Sequence, residues 1–180
     1  MNNSDIDLLT IETLSERPDL TGVTRDMIKE FLLLPDSWVL KIEGAEPERL
    51  PSFLQDELAL LPNWPAPPDG LVAVALFGLK PAGTAQIRRI DGRICELKRM
   101  FVREEFQQLG VGRQLVKFLT DWGRKLSYGE MYLDVTPNRT GSIKFYEALG
   151  FERCPTLHDY GDTPIVSMTK PTDLEIQGQE

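Results

Sequence analysis

Between Glu96 and Gly112 the chain reads Glu-Leu-Lys-Arg-Met-Phe-Val-Arg-Glu-Glu-Phe-Gln-Gln-Leu-Gly-Val-Gly, and this stretch leaves few folds open. A strand ends near Val102, a short charged loop follows, and two glycines open a strongly amphipathic helix. Peptide N–H groups at such a helix start have no intrahelical acceptor and sit at the positive end of the helix dipole. They form a ready anion site, best suited to phosphate. A phosphorylated ligand held at Gly110-Val-Gly112 is therefore the first expectation.

The other bounds are set by what the composition excludes. With 180 residues, 41% apolar and 27% charged, the chain is expected to form one domain, residues 1–170, followed by a polar tail over 171–180. No apolar run approaches the ~20 residues needed to span a bilayer, and Met1-Asn-Asn-Ser-Asp lacks a secretory n-region, so the expected setting is the cytoplasm, without a membrane partner. A net charge of −8 argues against nucleic acid, which needs a basic footprint. It is compatible with a cationic substrate such as an amine. Cys95, Cys154 and the single histidine, His158, fit no metal-ligand spacing. Two buried thiols and no metal are expected.

Along the chain, Asp7–Thr13 reads as a first strand. Thr24 is placed to cap a helix from about Arg25 to Leu34, ended by Pro35. Residues 36–49 are ambiguous: Trp38-Val-Leu reads as strand or helix, and Gly44-Ala-Glu-Pro as a turn. Ser52-Phe-Leu-Gln55 matches a capping box at the start of a second helix. Four prolines between Pro62 and Pro68 make a stiff loop, either a connector or a carrier of substrate contacts. Leu71–Phe77 is a short apolar run for a strand buried on both faces. Lys80–Gly83 reads as a turn, Thr84–Ile90 as strand, Asp91-Gly92 as turn and Ile94–Val102 as strand, giving an antiparallel meander. After the helix from Gly110 to about Lys125, the strand Met131–Val135 implies a parallel pair. A helix from Thr140 or Gly141 to Leu149 and two closing strands, Phe151–Cys154 and Ile165–Thr169, complete the pattern.

Three ligands suit a Gly-x-Gly helix start. A nucleoside triphosphate loop needs Gly-Lys-Ser/Thr, whereas Gly112 is followed by Arg113-Gln114. A dinucleotide fingerprint needs a small residue where Leu115 stands, although Asp134 falls where a ribose-binding acid belongs. The third reading rests on two stretches. Gln107-Gln108-Leu109-Gly110-Val111-Gly112 matches the Gln/Arg-x-x-Gly-x-Gly/Ala signature of the GCN5-related N-acetyltransferases, and Tyr146-Glu-Ala-Leu-Gly-Phe151 resembles that family's second signature. One helix and one strand lie between them, as in the family.

The resemblance covers about residues 6 to 170. It implies a mixed α/β (α+β) fold: a mostly antiparallel sheet of six to seven strands flanked by helices, with a splayed parallel pair after the third meander strand. It implies acetyl-CoA as co-substrate, with the pyrophosphate on the backbone of Leu109 to Arg113. The pantetheine would pair with the backbone of Met100 and Val102, where Met100-Phe101-Val102 breaks the alternation as the family's bulge does. A small-molecule, amino-acid or peptide amine would be the acceptor, and a homodimer is left open. Many members carry an asparagine seven residues before the tyrosine; here that position is Arg139, and Asn138 stands one residue earlier, either a coenzyme contact or a loop residue.

Acetyl transfer must take a proton from an ammonium of pKa ~10.4, stabilise an oxyanion and protonate a thiolate of intrinsic pKa ~8.5. The resemblance makes Tyr146 the general acid at the coenzyme sulfur, against the alternative of an aromatic core residue. It makes Glu96 the general base, against that of a structural carboxylate. His158, Asp159 and Tyr160 are expected near the acceptor as specificity residues. A direct ternary-complex transfer is expected, since Cys95 lies mid-strand. A non-catalytic acyl-CoA-binding module of the same fold is the rival.

Overall fold

The computed structural model describes residues 9–35, 37 and 50–173. The ambiguous segment over 36–49, apart from Ser37, lies outside them, as do residues 1–8 and 174–180. Seven strands form one sheet: β1 (Leu9–Thr13), β2 (Gly70–Phe77), β3 (Lys80–Asp91), β4 (Ile94–Val102), β5 (Glu130–Val135), β6 (Glu152–Cys154) and β7 (Val166–Pro171). Their spatial order is β1-β2-β3-β4-β5-β7-β6, and every pairing except β4–β5 is antiparallel. Four α-helices flank it: α1 (Thr21–Leu32), α2 (Ser52–Ala59), α3 (Val111–Lys125) and α4 (Thr140–Glu147).

The sheet divides two cores. On one face Leu71, Ala73, Ile87, Leu97, Met131 and Leu133 meet α3 through Val111, Leu115 and Leu119 and α4 through Ile143 and Tyr146. Each fully buried leucine contributes roughly 2 kcal/mol by area removed from water. On the other, Val72, Val74 and Leu76 meet Met27, Ile28 and Leu32 of α1 and Leu54 and Leu58 of α2. β2 supplies both cores, so its near-continuous burial follows from a strand covered on two faces.

Three local expectations are corrected. α1 begins at Thr21, and Thr24 lies inside it, its hydroxyl donating to the Leu20 carbonyl 2.8 Å away; back-bonding to residue i−4 competes with capping. Pro51, not Ser52, is the N-cap of α2, and Gln55 Nε2 instead donates to the Leu50 carbonyl at 2.6 Å. The segment Lys80–Gly83 is strand, the hairpin turn being Gly78-Leu79, with Gly78 at φ 63°. Pro81 is tolerated because the β2–β3 register slips there, which spares a ladder N–H.

A second irregularity shapes β4. Thr84 pairs with Phe101 and Gln86 with Lys98, so Arg99 and Met100 together face Ala85. Arg99 adopts φ 52°. This bulge, at Arg99-Met100, begins one residue before the Met100-Phe101-Val102 run expected to mark it. Leu97 faces the α3–α4 core, Arg99 reaches α2, and Met100 and Val102 return to the α3–α4 side while Phe101 packs toward α1.

Candidate active site

The parallel ladder between β4 and β5 has three rungs, Ile94–Glu130, Cys95–Met131 and Glu96–Tyr132, and stops. Both strands continue, β4 to Val102 and β5 to Val135. Beyond Glu96 they diverge, and the β5-side edge of β4 through Met100, Phe101 and Val102 is left without a strand partner. An extended ligand is received at such an edge by main-chain hydrogen bonding.

The expected anion site, the start of α3, stands beside this opening. Gly110 is the N-cap of α3 at φ 75°, and Gln108 is also left-handed at φ 61°. Alternating backbone of this kind turns successive N–H groups toward one concavity. The first amide to find a helical acceptor is Gln114, on the Gly110 carbonyl at 3.0 Å; those from Gln108 through Leu109, Val111 and Gly112 to Arg113 donate to no backbone carbonyl among the described residues. Gln107 closes the loop, its Nε2 donating to the Val102 carbonyl at 3.0 Å. The two glycines serve different needs. Gly110 supplies the left-handed turn. At Gly112 a Cβ would lie 3.1 Å from Met100 Cε and 3.2 Å from Phe145 Cζ, so its bareness lets α3 close on β4 and α4. Arg113 and Asn138 are exposed. Arg139 instead lies with its guanidinium 5.1 Å from the Phe31 ring centroid, linking the β5–α4 loop to α1.

Tyr146 projects from α4 into the core, packed edge-on against Phe145 and Phe151 at 5.2 and 5.5 Å between centroids. Burial drives its phenol well above its ordinary range, and the nearby Arg139 charge opposes this only in part. A phenol in that state stays protonated at neutral pH.

Glu96 lies on the opposite face, 2% exposed. Arg88, directly across on β3, donates from Nε to its Oε2 at 2.7 Å. Its Oε1 has Lys98 Nζ at 3.6 Å and His158 Nε2 at 3.4 Å. The His158 approach is within ion-pair distance but lacks the alignment of a hydrogen bond. Burial lowers the Lys98 ammonium, with Glu96 partly restoring it. Asp134, on β5, completes the group: it, Glu96 and His158 each bring one polar atom within 4.8 Å of the others. These three types can ligate a metal, yet their oxygens are engaged otherwise. Asp134 Oδ1 accepts from Tyr132 and Ser167 at 2.6 and 2.5 Å, and its Oδ2 from Tyr160 at 2.8 Å.

The candidates therefore fall into two groups. Gln107 to Arg113, Met100 and Val102 share the α3 side with Tyr146, whereas Glu96 shares the α1–α2 side with His158 and Tyr160. Asn138 is exposed and makes no side-chain hydrogen bond to either group among the described residues. Sequence reasoning passed over Arg88 and Lys98 and read Asp134 only as a ribose acid. Counting back from an Asp91-Gly92 turn sets Ile87 opposite Glu96, and the irregularity between Arg89 and Asp91 brings Arg88 there instead. The loop holding His158 offered no signal.

This opening, with free amides at its mouth and a phenol and a carboxylate on opposite faces, has the build of an acyl-coenzyme A site. The sequence profile of the acetyltransferase (GNAT) family matches residues 37–151, well over half of the chain, which belongs to that family. It is 32% identical over 114 residues to an uncharacterized N-acetyltransferase of Schizosaccharomyces pombe, covering 62% of this chain and 68% of that protein. An aminoglycoside N(6')-acetyltransferase type 1 of Salmonella typhimurium is 41% identical over 56 residues, 31% of this chain and 39% of that enzyme, so that match spans less than half the enzyme's length. In fold the chain is similar to yncA of Salmonella typhimurium, solved with its cofactor acetyl-CoA, with TM-score 0.65 and 19% identity over 94% of this chain and 97% of that one. Among the described residues no helix is long and apolar enough to cross a membrane.

Proposed function

We propose that the chain, as one domain over residues 1–170, transfers acetyl from acetyl-CoA to a primary amine of a small molecule, amino acid or peptide by direct attack in a ternary complex. Acetyl-CoA is the co-substrate of the family. The observation that carries the reading is the opening of the sheet after Glu96, with the orphan amides of α3 at one end and Tyr146 and Glu96 on its two sides.

In this reading the amides from Leu109 to Arg113 hold the pyrophosphate, and the free edge of β4 at Met100 and Val102 holds the pantetheine. Tyr146 gives its proton to the departing thiolate. Glu96 anchors the side that receives the amine's proton. Cys95 does not serve as acyl carrier: burial pushes its thiol up to about 12, and a thiol that remains protonated is not a nucleophile. The thiols of Cys95 and Cys154 are both free, in keeping with work in a reducing compartment such as the cytoplasm.

Isothermal titration with acetyl-CoA, CoA and NAD tests the donor. Binding of NAD without CoA would remove the assignment. A screen for CoA release over amines and amino acids then tests the chemistry, and silence across a broad panel would favour a non-catalytic acyl-CoA sensor.

A further inference from the structure

Glu96 is poorly arranged to take a proton itself. Its side chain is 3% exposed, Oε2 is taken by Arg88, and Oε1 lies between Lys98 and His158. A general base needs a lone pair within hydrogen-bond reach of the amine, and burial under Arg88, Lys98 and His158 keeps this carboxylate from it. His158 differs. Its side chain is 27% exposed, although Nε2 itself is buried, so the exposed part of the ring lies away from Glu96. A neutral Nε2 lone pair 3.4 Å from a carboxylate oxygen would be repelled, whereas Nε2–H is attracted. The contact therefore selects the tautomer that leaves the lone pair on Nδ1.

The imidazole is also held in place. Leu157 N donates to the Tyr132 hydroxyl at 3.0 Å and Tyr160 donates to Asp134 at 2.8 Å, fastening the loop on both sides of His158 to β5. The ring stands edge-on to Tyr132 and Tyr160, with centroids 5.8 and 6.0 Å away. The charged or titratable groups around it are Glu96 and Lys98 from β4, Arg88 from β3 through Glu96, Tyr132 and Asp134 from β5, and Asp159 and Tyr160 from its own loop.

Resting on the acetyltransferase reading above, we propose that His158 is the catalytic base, taking the acceptor's proton on Nδ1, and that Glu96 is a positioning residue that fixes the tautomer and steadies the imidazolium. The ammonium loses two protons in all. His158 takes one and passes it to solvent, freeing the nitrogen lone pair. That lone pair forms the C–N bond to the acetyl carbon, the C–S bond breaks, and the thiolate takes the proton of Tyr146. The second amine proton restores the phenol. An ammonium and acetyl-CoA thus give an amide, CoA thiol and one proton.

His158 is the only histidine, so two measurements on the whole chain need no assignment. In 15N-histidine NMR the neutral ring is expected as the Nε2–H tautomer; a dominant Nδ1–H form overturns the proposal. In CoA-release assays with the amine that turns over fastest, H158Q is expected to lower kcat by about 100-fold and to remove one ionisation from the pH profile of kcat/KM, with acetyl-CoA affinity and thermal melting kept. E96Q is expected to lose less and to keep that ionisation. The reverse ranking, or unchanged turnover in H158Q, makes Glu96 the base and sinks the assignment of His158 alone. Acetyl-CoA binding without turnover of any amine by the unaltered protein would instead sink the acetyltransferase reading, and the base with it.

Discussion

Glu96 stands opposite Tyr132 in the last rung of the parallel β4–β5 ladder. The place where the sheet opens is thus also the place where its charged network begins. From Glu96 the network runs to Arg88, Lys98 and His158, and from the Tyr132 hydroxyl to Asp134, Ser167 and the Leu157 amide.

Tyr132→Phe removes one oxygen and leaves the Leu157 N–H without its acceptor. The expected outcome is faster deuterium exchange at Leu157 and its neighbours, with the core of α3 unchanged. Equal protection in both proteins would show that the loop is held by other contacts.

Tyr146→Phe keeps the packing against Phe145 and Phe151 and deletes the acid. Turnover is expected to fall by about 100-fold, with acetyl-CoA binding by calorimetry within a factor of two or so. Parallel losses in both would reduce Tyr146 to a packing residue.

The glycines can be ranked. Gly110→Ala forces a side chain to φ 75° and should cost about 1 kcal/mol with weaker acetyl-CoA binding. Gly112→Ala must displace Met100 or Phe145 by a few tenths of an ångström and should cost about 1 kcal/mol. Gly141, in α4, has open space around its Cβ position, so Gly141→Ala should stabilise by about 0.5 kcal/mol. Urea denaturation measures all three.

Glu57 carries a pH dependence. Burial alone would raise its carboxyl, but the charge and hydrogen bonds of Arg99, with Oε2 2.8 Å from Nη2, outweigh it and hold it below the ordinary range. A depressed carboxylate stabilises above its unfolded value and loses that contribution as pH falls through the folded one. Glu57→Gln should therefore cost about 2 kcal/mol near neutrality, the partial exposure of Glu57 tempering the larger figure for a buried pair. The gap to the unaltered protein should close below about pH 4.5.

Cys95 should resist thiol reagents. With its thiol pushed up to about 12, roughly one part in ten thousand is thiolate at pH 8. Ellman's reagent should count one reactive thiol, Cys154, in the folded chain and two in urea.

Local repetition explains which parts could be read in advance. The meander from Leu71 to Val102 and the helix after Gly110 were legible because burial repeats at the strand and helix periods, and the ladder that opens after Glu96 follows the family resemblance. The start of α1 was not, because a threonine can cap or back-bond with the same hydroxyl and the choice is made by packing of Met27 and Ile28. Least legible was the approach of His158 to Glu96. No period runs through Pro155–Ile165, and it is fastened to the Tyr132 hydroxyl and the Asp134 carboxylate, neither of which the sequence ties to that loop. His158, Tyr160 and Ser167 also lie beyond residue 151, where the family match ends.

The extra residue at Arg99 acts on β4 as a frameshift acts on a message. Upstream of it even-numbered side chains, Glu96 and Lys98, face the α1–α2 side; downstream even-numbered Met100 faces α3 and odd-numbered Phe101 takes the α1–α2 side. Pleating the strand regularly with Arg99 kept would exchange the walls, sending Met100 and Val102 toward Phe31 and leaving Gly112 without the methionine it packs on, whereas deleting Arg99 would leave both walls as they are. One strand thereby furnishes both sides of the cleft in two frames.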